Sequence, residues 1–322
     1  MATLLQKIKE MIDNISVTDK QEDTINTATN NLSNHLTRDE NDLDIDSTFV
    51  NGSYERDTMV RPLDDVDVFA VLNKDEWTDD YGNLPKPQAV LSKIKNKLNS
   101  ISDYKDKVTQ DRPCVTVTLK AINFDVLPSF EESFGGYLIP NYDLESWTYS
   151  YPEQLTNNLN DSHRNNDYKL KDVIKAVKYW NRENKKLIPS FQIEETMISY
   201  FNVNKITNYE EAIRLWFNNA EYYLEKNKFK TNNQYDDAIK KIKSVRDKLN
   251  KAKEHTDNKE NDEAIQIWKD VFGKEFRLSD VEEAKAFSKK LSEGSLKAAS
   301  TGAISSSVGR NIPASKGFYG DL

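Results

Sequence analysis

Phe49-Val50-Asn51-Gly52-Ser53, followed by Tyr54-Glu55-Arg56-Asp57-Thr58 and then Pro62-Leu63-Asp64-Asp65-Val66-Asp67-Val68-Phe69-Ala70-Val71-Leu72, decides how this chain of 322 residues is to be read. The stretch reads as strand, tight turn, short helix, strand. Thr48-Phe49-Val50 has β propensity and runs into Gly52, whose missing Cβ lets a ligand approach the backbone. Ser53 is placed to cap the short helix, leaving N–H groups and a hydroxyl outward, an arrangement that holds phosphate. Val66 to Leu72 is apolar apart from Asp67 and predicts a buried strand. Asp65 and Asp67 are two apart, so they share a face. Two adjacent carboxylates repel, and in a buried strand a divalent cation relieves that repulsion. Mg²⁺ with oxygen ligands is the expected ion. Singly, a Gly-Ser pair is a turn and an Asp-x-Asp a solvated strand end; it is their combination that points to a site.

Working outward, Cys114 to Lys120 and Ala121 to Leu127 read as neighbouring strands of the same sheet. In the second, Asp125 interrupts an apolar run while Ile122, Phe124 and Val126 take the other face. Beside the Asp65/Asp67 pair it reads as a third metal carboxylate, with Pro128 ending the strand. Apolar residues at helical spacing predict helices over about 3–14, 19–37, 87–100, 152–164, 169–184, 191–202, 208–224, 234–254 and 260–272. Gly135-Gly136 leads into a short strand, and Trp147 to Pro152 reads as an aromatic connector. An α/β half thus precedes an all-helical half, an α+β chain. The expected divisions are 1–150, 151–294 and a tail of 295–322 rich in Ser, Gly and Ala.

Composition narrows the function. With 45 Lys and Arg against 53 Asp and Glu, the net charge is −8. This argues against a protein basic all over that coats nucleic acid, though not against a local basic groove. The single Cys114 rules out an internal disulfide and a cysteine zinc cluster. His35, His163 and His255 form no ligand motif. No apolar run of about 18 residues is present, and the first helix lacks a signal-peptide core. A soluble, cytoplasmic monomer without a membrane partner is expected.

In the helical half, Lys178-Tyr179-Trp180 lies on a helix whose apolar stripe includes Val173, Ile174, Val177 and Trp180. Pro189-Ser190-Phe191-Gln192-Ile193-Glu194 opens the next helix, with Ser190 placed to cap it. Alone, Lys178 is a solvated lysine and Phe191 a core aromatic. A triphosphate, however, needs positive charge opposite its metals, and a base needs an aromatic face.

The Gly-Ser and Asp-x-Asp combination resembles the polymerase-β-like nucleotidyltransferases. The fuller set is Gly52-Ser53-Tyr54-x-Arg56-x-Thr58, Pro62-x-x-Asp65-Val66-Asp67-Val68 and Phe124-Asp125-Val126-Leu127-Pro128. It resembles the bacterial cGAS/DncV-like nucleotidyltransferases (CD-NTases). Lys178-Tyr179-Trp180 and Ser190-Phe191-Gln192-Ile193-Glu194 are similar to that family's Lys-x-Trp and Ser-Tyr-His-x-Glu elements, with Phe191 and Gln192 in place of Tyr and His. Ala264 to Gly273, Ile312-Pro313 and Phe318-Tyr319-Gly320 are also similar to family segments.

The resemblance implies a nucleotidyltransferase sheet, a helical second lobe and an active site in the cleft between them. It implies a nucleotidyltransferase that makes a cyclic di- or trinucleotide from NTPs, ATP and GTP among them, in antiphage (CBASS) defence, with a downstream effector reached through the product. In that setting Asp65, Asp67 and Asp125 would hold two Mg²⁺ ions, Mn²⁺ being an alternative. Gly52, Ser53, Lys178 and Ser190 would meet the phosphates, and Phe191 would stack on a base. A linear-product nucleotidyltransferase, or a non-catalytic nucleic-acid-binding protein on the same fold, are the alternatives. Lys226, Lys228, Lys230, Lys240, Lys241, Lys243, Arg246, Lys248, Lys251 and Lys253 form a basic run in an acidic protein. It reads first as a solvated helix face and second as a surface for an RNA activator.

Overall fold

A computed structural model describes residues 3–38, 40, 42–299, 304–305 and 310–314. The chain falls into two compact units. One is Ile12–Lys243; the other takes in the described residues up to Met11 and from Ser244 onward. Helices α1 (Leu4–Ile15) and α2 (Asp19–Leu36) come first. They are followed by β1 (Ile45–Asn51), α3 (Gly52–Glu55), β2 (Val66–Leu72), α4 (Lys74–Trp77) and α5 (Pro87–Ser100). Strands β3 (Val108–Asp111), β4 (Cys114–Thr118), β5 (Asn123–Glu131), β6 (Tyr137–Pro140) and β7 (Trp147–Ser150) complete the larger sheet.

Its order is β1-β2-β5-β4-β3, with β6 joining β5 to β7; β2 and β5 run parallel and the other pairs antiparallel. Alternation along the strands sorts the faces. Val66, Val68, Ala70 and Leu72 of β2, with Phe124 and Val126 of β5, enter one core. That core includes Ile25, Leu32 and Leu36 of α2 and Val90, Leu91, Ile94 and Leu98 of α5. The period of two therefore turns Asp67 and Asp125 to the other face. Helix α2 lies across the back of the sheet.

Helices α6 (Pro152–Asn165), α7 (Leu170–Glu183), α8 (Ser190–Phe201) and α9 (Tyr209–Tyr223) follow. The fold is α+β, a mixed sheet with a helical second part. Trp180 of α7 meets Phe217 of α9 edge to face at 4.8 Å, and the buried Trp216 indole donates to Thr196 Oγ1 of α8 at 3.1 Å. The stripe of α7 that its spacing predicts, Val173, Ile174, Val177 and Trp180, is buried, and Lys175, Ala176, Lys178, Tyr179 and Asn181 are buried around it.

Helix α10 (Asn232–Asp257) leads on to α11 (Asn261–Phe272) and α12 (Asp280–Ser292). In this second unit Trp268 stacks on Phe272 at 5.2 Å, and Lys7 is buried against Glu282 at 2.8 Å. Three short strands, β8 (Lys297–Ala298), β9 (Ile304–Ser305) and β10 (Arg310–Asn311), pair antiparallel. Phe318-Tyr319-Gly320, read as a family segment, lies outside the described residues. Among the described residues no helix is long and apolar enough to cross a membrane.

Three local expectations are corrected. Strand β5 does not end at Pro128, which pairs with Ala70 of β2. On the other side of β5, pairing with β4 ends at Val126 and pairing with β6 begins at Phe130, so no ladder there asks Pro128 for an N–H. Trp147–Ser150 is a strand rather than a connector: it pairs with β6, and the Trp147 indole donates to Pro85 O at 2.8 Å. Helix α12 follows the last expected helix, opened by a capping box in which Ser279 and Glu282 satisfy each other's backbone N–H.

Candidate active site

The sheet register lays one row of polar side chains across four strands. Asn51 pairs with Asp67, Asp67 with Asp125, and Asp125 with Thr116. Neighbouring strands are about 4.8 Å apart, so the two carboxylates stand side by side. Thr116 Oγ1 donates to Asp125 Oδ1 at 2.6 Å, and Asn123 Nδ2 to Asp65 Oδ1 at 2.9 Å. Burial, then the charge of Asp125, pushes the Asp67 carboxyl up to about 6, with Asp65 adding to the effect and Arg56 opposing it. Asp125 is raised by burial against the pull of the Thr116 hydrogen bond, with Asp65 adding its charge. Burial beside Asp125 also lifts the Cys114 thiol to about 12, so this cysteine is inert.

The field that favours a proton on Asp67 also favours a cation. An oxygen-only donor set suits a hard divalent ion. Among the described residues, no three His, Cys, Asp or Glu side chains already converge as a finished metal cage. The carboxylates fit such an ion as charge and donors.

Gly52 makes the row possible. Its φ is +76°, and a Cβ there would lie 1.8 Å from Asp67 Oδ2. Any other residue would displace the carboxylate. Ser53 does not cap α3: the N-cap position belongs to Asn51, whose side chain makes no cap bond and instead accepts from Arg56 Nη1 at 3.3 Å. The turn begins one residue before Gly52, which puts Ser53 inside the helix. Ser190 likewise is the first residue of α8, and Pro189 holds the cap position, its carbonyl accepting from Gln192 N.

Behind the turn lies a buried ionic knot. Glu194 of α8 is fully buried. Its Oε2 accepts from Arg56 Nε at 2.8 Å, and its Oε1 from Thr58 Oγ1 and Lys178 Nζ, each at 2.5 Å. Lys178 also donates to Thr58 at 2.9 Å. Burial pushes Glu194 up, but the charges and hydrogen bonds of Lys178 and Arg56 outweigh it and hold the carboxyl below its usual range. Two cations on one carboxylate keep it ionised, while burial lowers Lys178. Lys175 of α7 adds a bond to Asp57 at 2.7 Å. The segment after Ser53 is thereby fastened to α7 and α8.

A polar recess brings together Ser53, Lys178 and Ser190 with Asp64, Arg182 and Lys186. Asp65, Asp67, Asp125 and Gly52 do not line it, nor does Phe191, which is 42% exposed under Lys228 Nζ at 5.8 Å from its ring. Sequence reasoning gave no roles to Asn51, Thr116, Asp64, Arg182 or Lys186. Thr116 sits on the polar side of an alternating strand, but its partner depends on register. Arg182 lies one turn after Lys178, a spacing that could have flagged it.

Comparison with known proteins adds to this. A model of the Second Messenger Oligonucleotide or Dinucleotide Synthetase domain matches residues 1–163. A protein of Acinetobacter sp. named "Cyclic AMP-AMP-AMP synthase" is 37% identical over 145 residues, which are 42% of this chain and only 40% of that protein. A Bacillus cereus protein named "Probable cyclic nucleotide synthase" is 25% identical over 275 residues, 70% of this chain and 80% of its own length. The structure of E. coli MS115-1 CdnC with ATP superposes with a TM-score of 0.68 at 17% identity, covering 85% of this chain and 99% of that one.

Proposed function

The chain belongs to the Second Messenger Oligonucleotide or Dinucleotide Synthetase family, the CD-NTases, and from that membership we propose that it joins nucleoside triphosphates into a cyclic di- or trinucleotide messenger of antiphage defence. The observation that carries the reading is the register of Asp67 with Asp125 beside a glycine that leaves room for nothing else. The Acinetobacter relative's name favours adenine nucleotides and a trinucleotide ring.

Asp65, Asp67 and Asp125 would hold two Mg²⁺ ions, or Mn²⁺. Bound there, the metal supplies charge neutralisation for the triphosphate and lowers the pKa of the attacking ribose hydroxyl. The protein's own groups do the rest. Ser53, with the backbone at Gly52, orients the donor phosphates, and Ser190 faces them across the recess. Asp125, on a separate strand from Asp65 and Asp67, is placed to accept the hydroxyl proton. Phe191, exposed at the start of α8, offers a face to a base. The first product is linear and must turn over before ring closure. Lys178 supports the site through Thr58 and Glu194, carrying positive charge behind the phosphates.

The test is incubation with each NTP and with all four, followed by phosphatase and mass spectrometry. A closed ring has no terminal phosphate and survives; a product wholly degraded by phosphatase would move the reading to a linear nucleotidyltransferase. For the RNA activator, Lys243, Arg246 and Lys253 are ion-paired with Glu221, Asp247 and Asp257. RNA would have to rely on the exposed Lys230, Lys240, Lys241, Lys248 and Lys251. Stimulation that falls steeply with salt supports this surface, and basal synthesis that RNA never raises removes it.

A further inference from the structure

Resting on the reading that Ser53 and Ser190 face a triphosphate, we infer that Lys186, with Arg182 behind it, is a further cation meeting its outer phosphates, and that Asp64 holds their place until they arrive. The Lys178 ammonium is buried and donates to Glu194 and Thr58. Lys186 is the exposed lysine of the recess. It lines the same recess as Ser53 and Ser190, its side chain is 59% exposed, and Nζ sits 3.0 Å from Asp64 Oδ1.

The turn that presents it is specific. Lys185 and Lys186 both take left-handed backbone, at φ 70° and 49°, a conformation residues with side chains rarely adopt. Asn181 braces the turn: its O accepts from Lys186 N at 2.8 Å, and its Nδ2 donates to Ile188 O at 2.7 Å. Strained backbone held by buried hydrogen bonds thus aims one exposed lysine into the recess.

Arg182 completes the arrangement from below. Its Nη1 donates to the carbonyls of Val60 and Pro62, while Nη2 holds the other oxygen of Asp64. The carbonyls keep the guanidinium in place, and the flexible lysine stem is the part that turns. A half-exposed ion pair such as Asp64–Lys186 contributes little by itself, so several phosphate charges displace one carboxylate at small cost. Asp64 directly precedes Asp65. Its release on phosphate arrival frees the residue beside the first metal carboxylate.

Calorimetric titration of the full chain with inorganic tripolyphosphate at low salt, run beside a separate assay of NTP consumption, tests this. Lys186→Ala should bind tripolyphosphate about ten-fold more weakly, the loss expected for one charge-assisted contact. Asp64→Asn should bind it several-fold more tightly, because the cations no longer leave an internal partner, and the double variant should lose that gain. A merely structural Asp64 predicts the opposite sign, so unchanged or weaker binding by Asp64→Asn overturns the inference. So does unchanged binding by Lys186→Ala, an exposed position where thermal unfolding should match the parent. A parent chain that binds no tripolyphosphate overturns it as well. Absent NTP consumption would strike the proposed function instead, whereas normal consumption with unaltered tripolyphosphate binding in both variants strikes this inference alone.

Discussion

Two groups of acids lie close together in the chain's fold and are treated in opposite ways. On the sheet, Asp67 is flanked by Asp125 and Asp65, and its carboxyl is pushed up to about 6. Behind the turn, Glu194 is buried more deeply but is surrounded by Arg56, Lys178 and Thr58 and stays ionised. Glu194 is charge-balanced within the chain; the sheet acids are not. The difference separates scaffold from site. Balanced charge fixes geometry, and unbalanced charge leaves room for a ligand.

The largest effect should come from breaking the balanced side. Glu194→Gln keeps the shape and strands two buried cations, costing about 3–5 kcal/mol, measured by urea unfolding. Its pH behaviour follows from a depressed folded pKa: the stability is present above the ordinary carboxylate range and is lost as pH falls through the folded value. The variant should lose that acid-side dependence. A loss under 1 kcal/mol would mean the knot is not what holds the turn.

Asp67→Asn should move stability the other way. Raised from 3.8 to about 6, Asp67 binds more protons folded than unfolded in that window, so metal-free stability declines as pH climbs from about 4 to about 6. Removing the charge should add about 1–2 kcal/mol at pH 7 without metal, allowing for relaxation of the full shift. The variant should also flatten that slope and abolish nucleotide joining. A destabilised Asp67→Asn protein would erase the contrast with Glu194.

The smallest effect sharpens the comparison inside the site. Thr116→Val deletes the hydrogen bond that lowers the Asp125 pKa. At about 0.5–1.5 kcal/mol for one such bond, the acid limb of the pH–rate profile should shift upward by about one unit or less. An unmoved limb would show that Asp125 does not set it.

Much of this was legible in sequence, because the apolar periodicity that predicts α5 and α7 is the same property that buries them. Asp67 and Asp125 stood out as candidates because an acid inside an apolar strand is conspicuous, whereas Asp65, expected on the same strand, precedes β2. What escaped depended on partners remote in the chain. Arg56 and Glu194 carry no mark of each other, and neither does Thr116 of its register with Asp125. Pro128 misled because a proline's cost depends on whether the neighbouring strand has ended. The cap at α12 was readable from Ser279 and Glu282, but a mainly polar helix offers little periodicity to draw attention to it.

Lys7 and Glu282 have a consequence for the timing of synthesis. Both side chains are about 5% exposed, and a buried ammonium needs its anion. Lys7 is made before Ile12–Lys243, and Glu282 only after all of it. The unit containing the sheet can therefore complete its contacts while translation continues, whereas the unit containing Lys7 must wait for its counter-ion. During that interval α1 carries a charge whose buried partner has yet to be made.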